Sequence, residues 1–547
     1  MSTADSRPWW RGAVIYQIYP RSYADGSGDG IGDIAGVRTH LDHLSGLGID
    51  AIWLSPWYPS PMADAGYDVA DFRDIDPTFG TLHEAERLIA EAHERGIRII
   101  IDVVPNHVSS EHEWFKAAIA GGPDAPEREL FWFRPGRGPD GDRMPTDWRG
   151  EFGGPTWTRT TNADGTPGDW YLHLFTPEQP DLNWENPVVR EEFESVLRFW
   201  FDRGVDGIRI DSAALLMKDP ALPEIDPTKA LPHPFHDLDA VHDVYRRWRR
   251  IADGYPGERV LIGEVWMPDV RRFTNYLRPD ELHSAFNFDF LGCAWDPRRL
   301  RECIDRTMRA HGLVAAPATW VLSNHDVTRH VTRYGRADTT FSFASKREGT
   351  PTDLELGTKR ARAAALLCLG LPGGAYLYQG EELGLWEVED IPHELRQDPM
   401  YERSGYVDPG RDGCRVPLPW SGVEAPFGFS PPGAARPWLP QPAAWKDQTV
   451  QAQTGDPRSM LELYRQALSI RRETPALGDG EMRWLASDDA VLAFARGPQF
   501  LCVVNLSGAA VRLPAHEAVL LASGPLDGDL LPVDTAAWLR TSGNAAE

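Results

Sequence analysis

Eight short runs of β-branched and aromatic residues recur along the chain, with helix-period stretches between them. They are Val14–Pro20, Asp50–Trp57, Arg98–Asn106, Gly207–Asp211, Arg259–Trp266, Ser284–Phe290, Thr319–Asp326 and Gly374–Gly380. Several are continuously apolar before they turn polar (AIWLSP, IRIIIDVV, VLIGEVW, TWVLSNHD). A strand without a polar face is buried on both sides, as in a parallel sheet. Among the intervening stretches, LHEAERLIAEAHERG (Leu82–Gly96) has the clearest helical period and ends on glycine, a stop signal; EEFESVLRFWFDRG (Glu191–Gly204) is a second. Eight strand-then-helix units predict an α/β fold, a (β/α)8 TIM barrel rather than an open sheet.

The alternation is interrupted in three places. Between Asn106 and Asp206 the chain turns rich in Gly, Pro, Asp and Trp, and a connection that long is an inserted domain or a functional loop. A Pro-rich loop, Lys218 to His236, follows the fourth run, and a longer one extends from Glu381 to about Gln453. The helix MLELYRQALSIRRET then closes the barrel. After Pro475 the pattern becomes short alternating strands (AVLAFARG, QFLCVVNL, VRL, AVLLAS), the signature of a small antiparallel β domain. The expected organisation is a barrel over 1–105 and 176–475, a B domain inserted after strand 3 over 106–175, and a C-terminal antiparallel β-sandwich over 476–547.

Composition narrows the function. The 547 residues carry a formal net charge of −25, which repels phosphate backbones and argues against a nucleic-acid partner. Five cysteines at wide spacings, with no CxxC, argue against a disulfide framework or a zinc site. The N-terminal segment lacks a basic region followed by an apolar run, and no stretch approaches eighteen consecutive apolar residues; the expectation is a cytoplasmic protein, monomer or homodimer, with no membrane partner. The 21 tryptophans serve cores and interfaces, or platforms for the apolar C–H face of a sugar.

In a barrel of this kind the strands end at the mouth where substrate binds, so polar residues there read as catalytic. Here the runs terminate in Asp102, Asn106 and His107; in Arg209 and Asp211; in Glu264; and in Asn324, His325 and Asp326. Asp211, Glu264 and Asp326 come from three different runs. Glycoside hydrolysis needs a carboxyl pair, roughly 5–5.5 Å apart in retaining enzymes, one as nucleophile and one as proton donor. Arg209, two residues before Asp211, points to the same face and favours its ionised form, which suits Asp211 for attack. Glu264 is then the acid/base by elimination. Asp326 would bind sugar hydroxyls and distort the ring, and His107 and His325 would donate hydrogen bonds to them.

At these residues the chain resembles the α-amylase family, glycoside hydrolase family 13, and within it the α-glucosidase and oligo-1,6-glucosidase branch. The family's ordered motifs are DVVPNH (Asp102–His107), GIRID (Gly207–Asp211), GEVW (Gly263–Trp266) and SNHD (Ser323–Asp326), and QPDLNW (Gln179–Trp184) looks like the α-glucosidase variant of a fifth. The resemblance covers almost the whole chain. It implies the same three roles for Asp211, Glu264 and Asp326, and places Arg209, His107 and His325 around the sugar at the cleavage point. Tyr67 and Asp68 match residues that stack on and grip the terminal glucose; Phe175 and Gln179 match pocket positions. The segment RDGCRVPLPW (Arg411–Trp420) looks like the branch motif RDNxRTPMQW, and one of its arginines, Arg411 ahead of Arg415, should pair with Asp68 and close the pocket. A closed pocket implies exo-cleavage of a disaccharide or short oligosaccharide.

Asp25, Ser27, Asp29, Ile31 and Asp33 form a D-x-S-x-D-G-x-G-D loop whose alternating oxygens resemble a structural Ca²⁺ loop, Ile31 offering its carbonyl. Asn106 matches the family's other calcium ligand, at a site this branch generally lacks. No organic cofactor is implied. Ser212 follows the nucleophile; in this branch Val there goes with α-1,6 and Thr with α-1,4 preference, and Ser is nearer to Thr. The resemblance leaves an oligo-1,6-glucosidase, a trehalose synthase or a sucrose isomerase open. It sets against a transporter heavy chain, whose catalytic positions are degraded.

Overall fold

The computed structural model describes residues 8–226, 233–343 and 348–542, so part of the Lys218–His236 loop lies outside the described residues, as do the first seven residues and the last five of the expected C-terminal domain. All eight predicted runs contain a strand: β1 Val14–Ile18, β2 Ala51–Leu54, β3 Arg98–Val103, β4 Gly207–Ile210, β5 Val260–Gly263, β6 Ser284–Ala285, β7 Thr319–Val321 and β8 Gly374–Tyr378. They form one parallel sheet in the order β7-β8-β1-β2-β3-β4-β5-β6. The barrel is nearly closed: across the seam between β6 and β7, Thr319 Oγ1 donates to the Ala285 carbonyl at 2.5 Å.

Each apolar run is the part of the strand held in the ladder, and its polar tail is the part that leaves it. β4 ends at Ile210 and Asp211 follows; β5 ends at Gly263 and Glu264 follows. The outer helices start where side chains can satisfy the first free N–H groups. Thr81 caps Leu82–Glu94 by accepting from Glu84 N. The second predicted helix starts earlier than its apolar period suggests, at Pro187, because Asn186 accepts from Val188 N and proline suits the first helical position.

Between β3 and β4 the chain forms a helix, Glu113–Ala120, and a three-stranded antiparallel sheet of Phe133–Arg134, Trp157–Thr161 and Pro167–Leu172. Trp132, Trp148, Trp157 and Phe175 belong to its core. At the C-terminal end a five-stranded antiparallel sheet faces a two-stranded one, Val511–Arg512 with Leu530–Leu531. The strand Thr535–Arg540, which the alternation did not reveal, lies between Phe500–Asn505 and Ala518–Ala522. Its alternation is masked because both faces are covered. Phe494, Cys502 and Trp538 join the barrel's core, with Trp538 Nε1 donating to Leu366 O at 3.0 Å. Val503, Leu531 and Leu539 pack on the other side. No disulfide joins the five cysteines, and among the described residues no helix is long and apolar enough to cross a membrane.

Candidate active site

At the C-terminal mouth of the barrel lies a cavity of ≈ 360 Å³ whose walls include Tyr67, Phe175, Asp211, Glu264, His325 and Asp326. Its floor is organised by Arg209, which is fully buried beneath it. One amino group of its guanidinium, Nη1, donates to Asp102 Oδ1 at 2.7 Å and to Asp211 Oδ1 at 2.8 Å; the other, Nη2, lies 2.8 Å from Glu264 Oε2. The two candidate reacting carboxyls thus share one guanidinium. Ser212, the first residue after the nucleophile position, has φ 48°, a left-handed backbone that costs a non-glycine residue roughly 1–2 kcal/mol. In return its N–H donates to Glu264 Oε2 and its hydroxyl to Asp211 Oδ2, both at 2.9 Å.

Three buried carboxyls around one cation leave an excess of negative charge, so a proton is retained. Burial pushes Glu264 up to about 7, against the pull of Arg209 and with the push of Asp211 and Asp326. Burial likewise lifts Asp102 to about 7, while Asp211, with Arg209 and the Ser212 hydroxyl opposing burial, rises only to about 6. Of the reacting pair, Asp211 ionises first and Glu264 keeps its proton longer. Asp326 goes the other way: burial works against its charge, but Arg411 and Arg415, each 3.1 Å from its Oδ1, hold it ionised. His325 is driven neutral by burial, and both its ring nitrogens are engaged, by Gln17 Nε2 at 2.7 Å and the Tyr67 hydroxyl at 2.6 Å.

The wall corrects one expectation. Asp68 does not reach the cavity and does not pair with either arginine. It is fully buried and accepts from Ala63 N and Asp64 N at 2.9 and 3.0 Å, closing the turn. That turn aims Asp64 at the cavity instead, where Asp64 Oδ1 accepts from Arg411 Nη2 at 2.7 Å. The physical reason is local: the two N–H groups at the head of the turn satisfy Asp68, whereas Asp64 stays free to meet a cation from far along the chain. Arg411 does close the wall. It also donates to Asp398 Oδ2 at 2.5 Å through Nε, and its guanidinium lies 4.7 Å from the centre of the Phe152 ring. Arg415 stands behind, donating to the His325 carbonyl at 2.8 Å.

Gln179 is likewise a supporting residue, its Nε2 lying 3.2 Å from Asp64 Oδ2 and 3.0 Å from His107 Nε2. His107 lines the cavity beside Phe175 and is held neutral, burial taking it down to about 3. Sequence reasoning passed over Asp64, Glu151, Phe152, His236, Met400 and Phe343, all on the wall, and Asp398 behind it. Asp64 had a signal, the DAGYD turn read four residues too late; the others sit on loops or, for Met400, on the short helix Pro399–Arg403, too short to show a period. The roof is a joint between two of these loops: Arg403, on the helix Pro399–Arg403, donates to the Gly153 carbonyl at 3.0 Å. Beside the cavity, the buried Lys218 ammonium donates to Asn106 Oδ1 at 2.7 Å and Leu215 O at 2.9 Å and pairs with Asp181 at 2.7 Å.

The expected calcium loop is folded around its own backbone. Asp25 accepts from Gly28 N and Gly30 N, Asp29 from Ile31 N, and Asp33 from Gly26, Ser27 and Gly36 N while capping the helix Ile34–Thr39. Ser27 Oγ turns to Asp25 at 3.3 Å. Among the described residues no three His, Cys, Asp or Glu side chains converge for an ion. No step below depends on an ion at this loop.

A family profile described as the alpha amylase catalytic domain matches residues 17–480. The chain belongs to the α-amylase family. A probable alpha-glucosidase of Rhizobium meliloti (strain 1021) is 38% identical over 95% of this chain and 93% of its own length. An oligo-1,6-glucosidase of Parageobacillus thermoglucosidasius is 33% identical over 93% of each. The crystal structure of an alpha-glucosyl transfer enzyme, XgtA, superposes with a TM-score of 0.84 at 34% identity, covering 98% of this chain and all of the other. Membership in the α-amylase family, on its α-glucosidase side, supports a glycoside hydrolase.

Proposed function

We propose that this member of the family is a retaining, exo-acting α-glucosidase that takes neutral α-glucosides. Asp211 attacks the anomeric carbon, Glu264 protonates the departing oxygen and then takes a proton from water, and Asp326 binds the ring hydroxyls as charge develops. One observation carries the reading: a single guanidinium, Arg209, grips Asp211 and Glu264 at once. A shared guanidinium holds the two carboxyls beside one another, which is what direct attack in a retaining enzyme, with its carboxyls roughly 5–5.5 Å apart, requires. Burial raises both, Asp211 to about 6 and Glu264 to about 7, so the attacking group ionises before the donor.

Exo action follows from the wall. The ion pairs of Arg411 with Asp64, Asp326 and Asp398 and the Arg403–Gly153 joint block the far end, so a glucose end enters and a polymer does not thread. Neutral substrates follow from charge. Among the described residues the one arginine lining the cavity, Arg411, is already paired with Asp64, Asp326 and Asp398, so the lining offers a phosphorylated sugar no unpaired cation. Ser212, small and with its hydroxyl turned to Asp211, leaves the linkage preference towards α-1,4. The apolar wall of Trp266 and Phe343 favours a second use of the same intermediate, transfer of glucose to an acceptor lying there.

The test is a panel of maltose, isomaltose, sucrose, trehalose and maltotriose, with products identified and the first-formed anomer followed by NMR. Free α-glucose as the first product, fastest from maltose, supports the reading. First-formed β-glucose, or near-complete conversion of one disaccharide into an isomer, overturns it.

A further inference from the structure

We propose that Trp266 is a positioning residue for the acid/base: its indole N–H fixes the oxygen of Glu264 that carries the catalytic proton. The inference rests on the glucosidase reading above. Trp266 lies two residues beyond Glu264 on the extended segment leaving β5, so the two side chains share a face. Its Nε1 donates to Glu264 Oε1 at 3.0 Å. The other oxygen, Oε2, is already occupied by the Ser212 N–H and the Arg209 guanidinium. With the Ser212 donor and the Arg209 cation both at Oε2, the transferable proton resides on Oε1, and Trp266 is the group that orients it.

The indole is itself held by two aromatic rings. It stacks on Phe288 with ring centres 3.6 Å apart and planes 7° from parallel, and meets Phe343 edge-on at 5.2 Å. Elsewhere it borders two spaces: the active-site cavity, and a second, largely apolar cavity of ≈ 240 Å³ that also touches Phe286, Asn287 and His311. A ring flanked by two cavities is not wedged by packing alone. Its place depends on the Phe288 stack and on the bond to Glu264.

The consequence differs between the two halves of the reaction. In the first, the Glu264 O–H gives its proton to the glucosidic oxygen as the bond from C1 to that oxygen breaks and the bond from Asp211 to C1 forms. In the second, water loses its proton to the Glu264 carboxylate as the C1–O bond to water forms and the Asp211 ester breaks. An N–H donated to Oε1 favours the carboxylate. It therefore restrains the rise that burial imposes on Glu264 and keeps it able to serve as a base in the second half.

The experiment compares the pH dependence of kcat/KM for wild type and Trp266→Phe on maltose and on p-nitrophenyl α-glucoside. Phenylalanine keeps the stack and removes the donor. The alkaline limb is expected to move up by about one pH unit, the size set by a hydrogen bond to a charged group. The acid limb should stay, and kcat/KM on maltose should fall about tenfold more than on the aryl glucoside, whose leaving group needs less protonation. Superimposable profiles with equal losses on both substrates would overturn the proposal and reduce Trp266 to a packing residue. Should Trp266→Phe fail to fold, Phe288→Leu, which keeps the donor and loosens its support, is expected to move the same limb in the same direction by less; no movement overturns the proposal. A wild-type enzyme without glucosidase activity would instead sink the functional reading, and the two failures are distinguishable.

Discussion

Arg209 and Arg411 each gather three carboxyls, one at the floor of the cavity and one at its wall, but the chain builds the two clusters differently. Arg209 holds Asp102, Asp211 and Glu264, which lie on or just past β3, β4 and β5; parallel register alone sets Asp102 opposite Arg209. Arg411 holds Asp64 and Asp398 from two separate loops, the first of them 347 residues away, and meets Asp326 on the segment leaving β7. The floor is thus fixed by the ladder and sets protonation. The wall is assembled from loops and sets which sugar fits. Chemistry and selectivity occupy different kinds of backbone, as expected where a rigid scaffold carries variable loops.

That division can be broken experimentally, beginning at the floor. Asp211→Ala should cut kcat by about four orders of magnitude or more, as loss of a nucleophile does, while thermal melting stays at or above wild type. A retained kcat would place the nucleophile elsewhere. Arg209→Lys should follow, with kcat down by two to three orders of magnitude and stability down by about 3–5 kcal/mol, because one ammonium cannot span three buried carboxyls; urea titration and turnover read the two effects together. At the wall, Arg411→Ala should act through KM, lowering kcat/KM by about 10- to 100-fold on maltose with a smaller loss in kcat. A loss confined to kcat would erase the distinction between floor and wall.

The smallest effect is on stability, and its sign follows from the site. Glu264 rises from 4.5 to about 7 on folding, so its neutral form stabilises the fold. That contribution is complete below the unfolded value and is lost as pH climbs through about 7. Glu264→Gln should therefore melt like wild type at pH 4 and a few degrees above it at pH 8, despite its loss of turnover; the reverse order would contradict the raised value.

The same contrast explains what could be read from the chain. Strand ends were legible because a parallel strand with no polar face must turn polar where it leaves the sheet, and Asp211, Glu264 and Asp326 announce those exits. The wall was not. The DAGYD turn contains two acids, and nothing in its spacing says that backbone N–H groups claim Asp68 and leave Asp64 to the sugar. Phe152, Met400 and Asp398 sit on segments without a period, and their partners lie far off in sequence. The strand Thr535–Arg540 escaped for a related reason: both of its faces are covered, so hydropathy does not alternate along it.

Lys218 adds a consequence of another sort. Its ammonium sits between Asn106, Asp181 and the Leu215 carbonyl, where the segment following β3 meets the segment following β4. The counter-charge at that junction is tethered to the main chain. It cannot be dialysed out, competed away or stripped by a chelating agent, so this corner of the pocket keeps its shape whatever the ionic make-up of its surroundings.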